Sequence, residues 1–341
     1  MTTLKDIAKI CNVNASTVSR ALAGNPIINE ETRTHICQVA AKLNYRPHLP
    51  ARILAGRSSK TIGIVVWGVE TNYYARIIKH VEQYLHQQGY MLIIGIGNNN
   101  YEKEIHCLES FNSRLIDGFI FAGPFSSRFN SELPRLKSLL LRPSAIIQAK
   151  KEHSFVNNIA IDDYAGILSA VKHLAELGHR KIGYISMEHS RVQLSDFKTA
   201  IAASGLTLYE NFIKIYPESY EIGGYKAMLE MFKEKTLPSA IFFATDYLAI
   251  GAAKAIRENG LQIPKDISLV GFYDIRGSLY ATPPLTTVQI PIQQIALMAA
   301  QQVVSQIESS EPIPNVSLTV QPQLIVRESS GPPLRKTGNP A

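Results

Sequence analysis

Cysteine is scarce in this chain: three residues in 341, Cys11, Cys37 and Cys107. An odd, scattered set cannot build a disulfide framework, and no Cys/His pair has metal-ligand spacing. The thiols read as reduced, core-filling residues of a cytoplasmic protein, with no metal and no cofactor implied. Long apolar runs are missing too. No stretch approaches the about 20 residues that cross a bilayer, and Met1-Thr2-Thr3-Leu4-Lys5-Asp6 lacks the basic-then-apolar pattern of an export signal. A membrane partner is therefore not expected. Charged residues make up only 18% against 45% hydrophobic, an ordinary soluble composition, and the length corresponds to about two or three domains.

Acidic residues are rare at the N-terminus in particular. Up to Lys60 there are only Asp6, Glu30 and Glu31, against Lys5, Lys9, Arg20, Arg33, Lys42, Arg46, Arg52, Arg57 and Lys60. That net of +6 is nearly all of the +7 carried by the whole chain. The body is close to neutral, and the positive field sits on the head, where its physical use is to neutralise phosphates.

The same segment has the spacing of a helix-turn-helix. Apolar residues recur at Leu4, Ile7, Ala8 and Ile10; Asn12 to Asn14 interrupts; Val18, Ala21 and Leu22 resume the period. Asn14 is placed to cap the second helix. Ala15, Ser16, Ser19 and Arg20 then fall on the outer side, where a recognition helix meets base edges and phosphates. A third helix follows Asn29, with Ile36, Val39, Ala40 and Leu43 as its buried stripe. Pro47 ends it, and Pro50 and Gly56 bracket a short segment, 50–55, too brief to be stable alone in water. Leu54, apolar at the end of that basic segment, suits a wedge between base steps in the minor groove.

From Thr61 the rhythm becomes strand, helix, strand, helix. Strands buried on both faces are expected at 62–66, 91–96, 118–121, 144–148 and 158–161, then at 181–186, 212–215, 240–244 and 268–272. Helices are expected at 74–88, 164–177, 195–204, 222–233 and 246–258. Two such series predict two α/β lobes with parallel doubly wound sheets. Ligands bind such sheets at the carboxyl ends of the strands, so the cleft between lobes is the expected pocket. An enzyme is the rival reading, but Ile94-Gly95-Ile96-Gly97 lacks the third glycine of a dinucleotide loop. Asp162-Asp163 and the nine histidines form no recognisable catalytic set.

The motifs resemble the LacI/GalR family of bacterial transcription regulators. They are Thr3-Leu4-Lys5-Asp6-Ile7-Ala8, Val13-x-x-x-Thr17-Val18-Ser19-Arg20-Ala21-Leu22, Leu43-Asn44-Tyr45-x-Pro47 and Leu54-Ala55-Gly56. In the body they are His173-Leu174-x-x-Leu177-Gly178-His179-x-x-Ile182, Ala244-Thr245-Asp246-x-x-Ala249-Ile250-Gly251, Ile263-Pro264-x-Asp266-Ile267-Ser268-Leu269-Val270-Gly271-Phe272 and Pro283-Pro284-Leu285-Thr286-Thr287-Val288. The likeness covers about residues 3–328. Tyr73-Tyr74, Asp274-Ile275 and the tail of the last loop look nearest to the Ebg-type and other β-galactoside repressors.

The resemblance implies a helix-turn-helix head (1–46), a hinge helix (47–58) and a periplasmic-binding-protein-like body (59–330) before a tail (331–341). Within the body it implies an N-lobe of 60–160 plus 290–318 and a C-lobe of 161–289 plus 319–330. It implies a homodimer on a palindromic operator, with contacts from Thr3, Leu4, Ala15, Ser16, Thr17, Ser19, Arg20, Asn25 and His48. Leu54 would be the minor-groove wedge and Ala51 the close-approach point of paired hinge helices. The Pro- and Gly-rich tail cannot add a tetramerising helix.

For the small-molecule effector, the family positions fall on Asn72, Tyr73, Gln148, Ile161, Asp162, Gln193, Tyr220, Thr245, Tyr273 and Asp274. Two positions depart from the sugar-binding pattern. Gln193 stands where many members carry a forked arginine, with Arg191 as a substitute, and Tyr273 stands where several carry an aspartate. The expected function is repression of a carbohydrate-utilisation operon, with a galactoside-like sugar as effector. A purine- or nucleoside-responsive or corepressed regulator remains open, and, further off, an exported solute-binding protein of the same fold.

Overall fold

The computed structural model describes residues 2–22, 24–45, 58–98, 100–123, 132–147, 154–188, 190, 194–217 and 220–334. It divides into two compact units, Met1–Ser59 and Lys60–Ala341. The expected hinge, with His48, Ala51 and Leu54, lies outside the described residues, as do Gln148, Arg191 and Gln193.

The first unit is three helices: α1 (Leu4–Ile10), α2 (Ala15–Leu22) and α3 (Glu30–Lys42). Thr3 and Asp6 form a capping box at α1, each side chain serving the other residue's backbone, which satisfies the donors a helix start leaves open. Asn12 takes a left-handed φ of 53° in the turn, a conformation asparagine tolerates better than most residues. Asn29 caps α3 by accepting the Thr32 N–H at 2.8 Å. Ile7, Ala8, Val18, Ala21, Ile36, Val39 and Ala40 close the core between the helices.

The second unit carries two six-stranded sheets. Sheet A holds β1 (Thr61–Val66), β2 (Met91–Ile96), β3 (Gly118–Ala122), β4 (Ser144–Ile147), β5 (Asn157–Ile161) and β11 (Ser317–Val320), in the order β11-β5-β4-β3-β1-β2. Sheet B holds β6 (Ile182–Met187), β7 (Ile213–Tyr216), β8 (Ala240–Phe243), β9 (Ser268–Tyr273), β10 (Thr286–Gln289) and β12 (Gln323–Ile325), in the order β12-β10-β9-β8-β6-β7. All neighbours run parallel except β12, which is antiparallel to β10. The chain enters lobe two after β5, returns to lobe one after β10 and crosses again between β11 and β12. Lobe one therefore keeps the chain through Val320, slightly beyond the expected switch at 318.

The crossover helices are α4 (Asn72–Gln87), α5 (Tyr101–Ser113) and α6 (Leu133–Leu139) around sheet A. Around sheet B are α7 (Asp163–Glu176), α8 (Leu194–Ala203), α9 (Tyr220–Met231), α10 (Asp246–Glu258) and the short α11 (Arg276–Tyr280). The last helix, α12 (Ile292–Glu308), follows the lobe-two strand β10 and packs against β3, β4, β5 and α4 of lobe one.

Two strands correct the expectation of burial on both faces. Met91, Ile94 and Ile96 of β2 are 67%, 46% and 41% exposed, and Ile215 of β7 is exposed as well. Both strands sit at sheet edges, where a run of apolar residues gains no second neighbour. Apolar content alone does not separate an edge strand from a central one.

Candidate nucleic-acid interface and effector cleft

In the head, α2 presents Ser16 and Arg20 to solvent, with Thr17 and Ser19 half-buried. Ala15 is also half-buried, and with Leu4 it packs on the head's core, so its outward reach is smaller than the helical wheel indicated. Thr3 is exposed, and its hydroxyl is engaged with Asp6. Asn25 shapes the turn after α2: its N–H reaches the Arg20 carbonyl at 3.0 Å and its side chain accepts the Ile27 N–H at 3.0 Å. Lys5, Lys9 and Lys42 add exposed charge. The outer side of α2 thus carries small hydroxyls and one arginine, residue types that contact base edges and phosphates.

In the body, the expected effector residues lie at the carboxyl ends of strands. Asn72 and Tyr73 open α4 beyond β1; Ile161 ends β5 and Asp162 follows it; Thr245 follows β8; Tyr273 ends β9 and Asp274 follows it. Tyr220 opens α9. The two lobes meet through tyrosines. The rings of Tyr73 and Tyr273 pack edge to face at 5.3 Å, and Tyr74 packs on Tyr73 at 5.1 Å. Alongside, Tyr220 packs on Tyr247 at 5.4 Å, and the Tyr247 hydroxyl accepts the Asn72 N–H at 3.4 Å. Burial raises the Tyr220 pKa, with Glu70 adding to it, so its hydroxyl stays a donor.

Both expected carboxylates are held by the protein itself. Asp162 caps α7, accepting the Ala165 N–H at 2.9 Å on one oxygen and Gln321 Nε2 at 3.1 Å on the other. Asp274 accepts Arg327 at 2.7 Å on Oδ1 and Gln289 Nε2 at 2.7 Å on Oδ2. Each oxygen retains a lone pair for a ligand hydroxyl, but the charge of Asp274 is already matched by a guanidinium. Ile161 is buried, 8% exposed. Thr245 caps α10 by accepting the Leu248 N–H at 3.3 Å, leaving its own hydroxyl hydrogen to donate.

Sequence reasoning missed Tyr247, Gln289, Gln321 and Arg327. Tyr247 stands two residues from Thr245 on a helix start, a signal that was readable. Gln289 comes from β10, the strand paired with β9, whereas Gln321 and Arg327 come from the far end of the chain and arrive only after its excursion through lobe one.

Behind the Tyr273–Asp274 loop sits Asp246, fully buried. Its oxygens accept the Ile275 N–H at 2.8 Å and the Thr287 hydroxyl at 2.5 Å. Burial pushes its pKa up to about 7, against the pull of those donors and with some help from Asp274. Tyr273 and Asp274 have left-handed φ values of 101° and 50°. Aspartate tolerates such a setting, but a tyrosine holds it only where its surroundings over-determine it.

A basic trihelical head joined to a bilobed body, with a tyrosine-lined junction at the strand ends, defines a DNA-binding regulator built on a periplasmic-binding-protein-like fold. Comparison with known proteins agrees for both parts. The family "Bacterial regulatory proteins, lacI family" matches residues 3–48, and "Periplasmic binding protein-like domain" matches 171–330. The regulator GalR of Escherichia coli K12 is 31% identical over 338 residues, covering 98% of this chain and 97% of its own. The repressor PurR of Haemophilus influenzae is 31% identical over 340 residues, covering 96% and 98%. In three dimensions the chain resembles the lac repressor dimer bound to operator and the anti-inducer ONPF, with a TM-score of 0.85, 22% identity and coverage of 97% and 99%. The chain belongs to the lacI family: it is a DNA-binding transcriptional repressor and not an enzyme.

Proposed function

We propose that this repressor controls a carbohydrate-utilisation operon from the cytoplasm, and that a sugar of the galactoside type, bound between the lobes, lowers its operator affinity. The observation that carries the reading is the Tyr73–Tyr273 ring contact between the lobes and the Tyr220–Tyr247 pair, with Asp162 and Asp274 following the ends of β5 and β9. Aromatic faces cover the C–H side of a sugar ring, while oriented acceptors take its hydroxyls. The chain acts as a homodimer on a palindrome. The exposed Met91, Ile94 and Ile96 on the edge strand β2 supply apolar surface of the sort a second copy covers.

The test combines a thermal-shift screen of the full chain against galactosides, other sugars and nucleosides with a gel shift on a palindromic duplex selected by the protein. A galactoside that raises the melting temperature and releases the duplex is expected. A nucleoside doing the same reassigns the ligand class, and a ligand that tightens the duplex reverses the sign of control. Stabilisation by no sugar at all defeats the carbohydrate reading.

A further inference from the structure

Lys60 opens the second unit and immediately precedes β1. Its φ is +50°, a left-handed setting unusual for a residue with a long side chain. Three contacts hold it there. Its carbonyl accepts the Met91 N–H at 2.8 Å; its ammonium lies 3.1 Å from Glu308 Oε1; and the same ammonium sits 4.1 Å from the centre of the Tyr90 ring. The Tyr90 hydroxyl donates to the same Glu308 oxygen at 3.4 Å, so the three side chains form one closed cluster. Tyr90 is only 4% exposed. A lone surface ion pair contributes little, but this one is staked on a buried ring and on the backbone of the neighbouring strand.

Glu308 is the last residue of α12, which is 17 residues long and so spans about 25 Å. The helix is seated in lobe one by Ile292, Ile295, Ala296, Ala299, Ala300 and Val303, all buried. Just before its start is Gln289, whose amide donates to Asp274 in the left-handed loop at the cleft. Only Ile290, 1% exposed, and Pro291 lie between Gln289 and the helix. One packed helix thus has a cleft contact at its head and, at its foot, the residue from which the chain leads back to the DNA-binding head.

We propose that α12 is a rod between the Asp274 loop and Lys60, and that the Lys60–Tyr90–Glu308 cluster is its output joint, positioning the residue from which the DNA-binding head is tethered. The proposal rests on the reading of the cleft as the effector site. A close-packed helix passes a displacement at one end to the other because the core around it does not yield. Freeing Lys60 unfixes the first residue of the body, and ordering it again when the chain binds DNA costs conformational entropy.

The test uses the full chain and palindromic duplexes that the native chain has itself selected from a random pool. Lys60→Met is expected to weaken duplex binding about tenfold, within the usual range of site-to-site coupling, with Glu308→Gln close to it and Lys60→Arg restoring most of the loss. Circular dichroism and melting show whether each variant is folded, and the half-exposed side chains at Lys60 and Glu308 favour that. Gln289→Ala is expected to shift duplex affinity in the native chain and to add nothing in the Lys60→Met background. Native affinity in folded Lys60→Met and Glu308→Gln overturns the proposal, as does a Gln289→Ala effect that is absent or simply multiplies with Lys60→Met. Failure of the native chain to select any duplex counts against the operator-binding reading instead. A double-mutant cycle that holds while no effector is found leaves the rod standing and removes the effector assignment.

Discussion

Asp246 Oδ1 and Thr287 Oγ1 lie 2.5 Å apart in the interior of lobe two, tying the start of α10 to β10. With the Ile275 N–H on the other oxygen, this carboxyl fixes the loop that presents Tyr273. Its pKa is raised to about 7 by burial first of all, so the folded state favours the protonated form. That contribution is fully present below the unfolded value, near pH 3.8, and is lost as the pH rises to about 7. The full swing is on the order of 4 kcal/mol. Asp246→Asn mimics the protonated group, since an amide can donate to Thr287 and accept from Ile275. Melting across this range should show a flatter profile in the variant, and an unchanged slope would assign the effect elsewhere. Asp246→Leu leaves both donors without an acceptor and should cost about 2–6 kcal/mol.

Helices α9 and α10 touch backbone to backbone at Gly224 and Gly251. A Cβ on Gly224 would overlap the Leu248 carbonyl, and one on Gly251 the Glu221 carbonyl. Alanine gains up to about 1 kcal/mol in helix propensity. A methyl driven into backbone that cannot rotate away costs about 1–3 kcal/mol or more. The clash wins, so Gly224→Ala and Gly251→Ala should each lower the melting temperature. Because these helices begin at Tyr220 and Asp246, ligand affinity should fall as well. A variant that melts at or above the native temperature would show that the helices can separate freely.

How much of this was legible in the sequence divides along physical lines. The head was, because its three helices are local: Asn29 and the stripe through Ile7, Val18 and Ile36 signal to near neighbours, though the Thr3–Asp6 capping box emerges only in the structure. So were the central strands and α10, which begins at Asp246 and ends at Glu258 as its pattern indicates. The edge position of β2 was not, since Met91 and Ile94 are as apolar as Ile62 and Ile64. Nor was the occupation of the cleft carboxylates. Arg327 and Gln321 meet Asp274 and Asp162 from some 50 to 160 positions away in sequence, and no local period announces such a pairing. Tyr273 was placed at the cleft by family likeness alone, and its left-handed backbone was visible only in three dimensions.

His179, fully buried, pins the returning C-terminal segment. Its Nε2 donates to the Gly331 carbonyl at 2.8 Å, which leaves Nδ1 to accept from the Ser239 hydroxyl at 2.9 Å. Burial depresses its pKa below 6.5, and that of His173 likewise. The folded state therefore keeps the ring neutral. Stability from this source is present above about pH 6.5 and erodes as the pH falls through that value toward the lower folded pKa. Asp246 acts in the opposite direction over the same range, so the two are separated in an Asp246→Asn background. There, melting between about pH 7.5 and 5.5 should fall with acid, and adding His179→Gln should reduce the fall. An undiminished fall would place the effect on His173 or another group.

Arg20 is exposed on α2, and the Asn25 N–H bonded to its carbonyl fixes the backbone from which it projects. Its position beside Ser16 and Ser19 on α2 leaves two roles, a phosphate contact or a base-edge fork, and they differ in measurable ways. A phosphate contact releases counterions whatever the base sequence, whereas a fork onto guanine discriminates at one base pair by about 1–3 kcal/mol. Ser16 and Ala15 are too short to force the helix deep by themselves, so the long arginine reaches the backbone first, and the phosphate role is expected. Arg20→Ala should then weaken binding to all selected palindromes alike, and the slope of log affinity against log salt should drop by about 1. The melting temperature should hold, since the side chain is exposed. A loss confined to one base position, with the salt slope intact, would make Arg20 a reader of sequence instead.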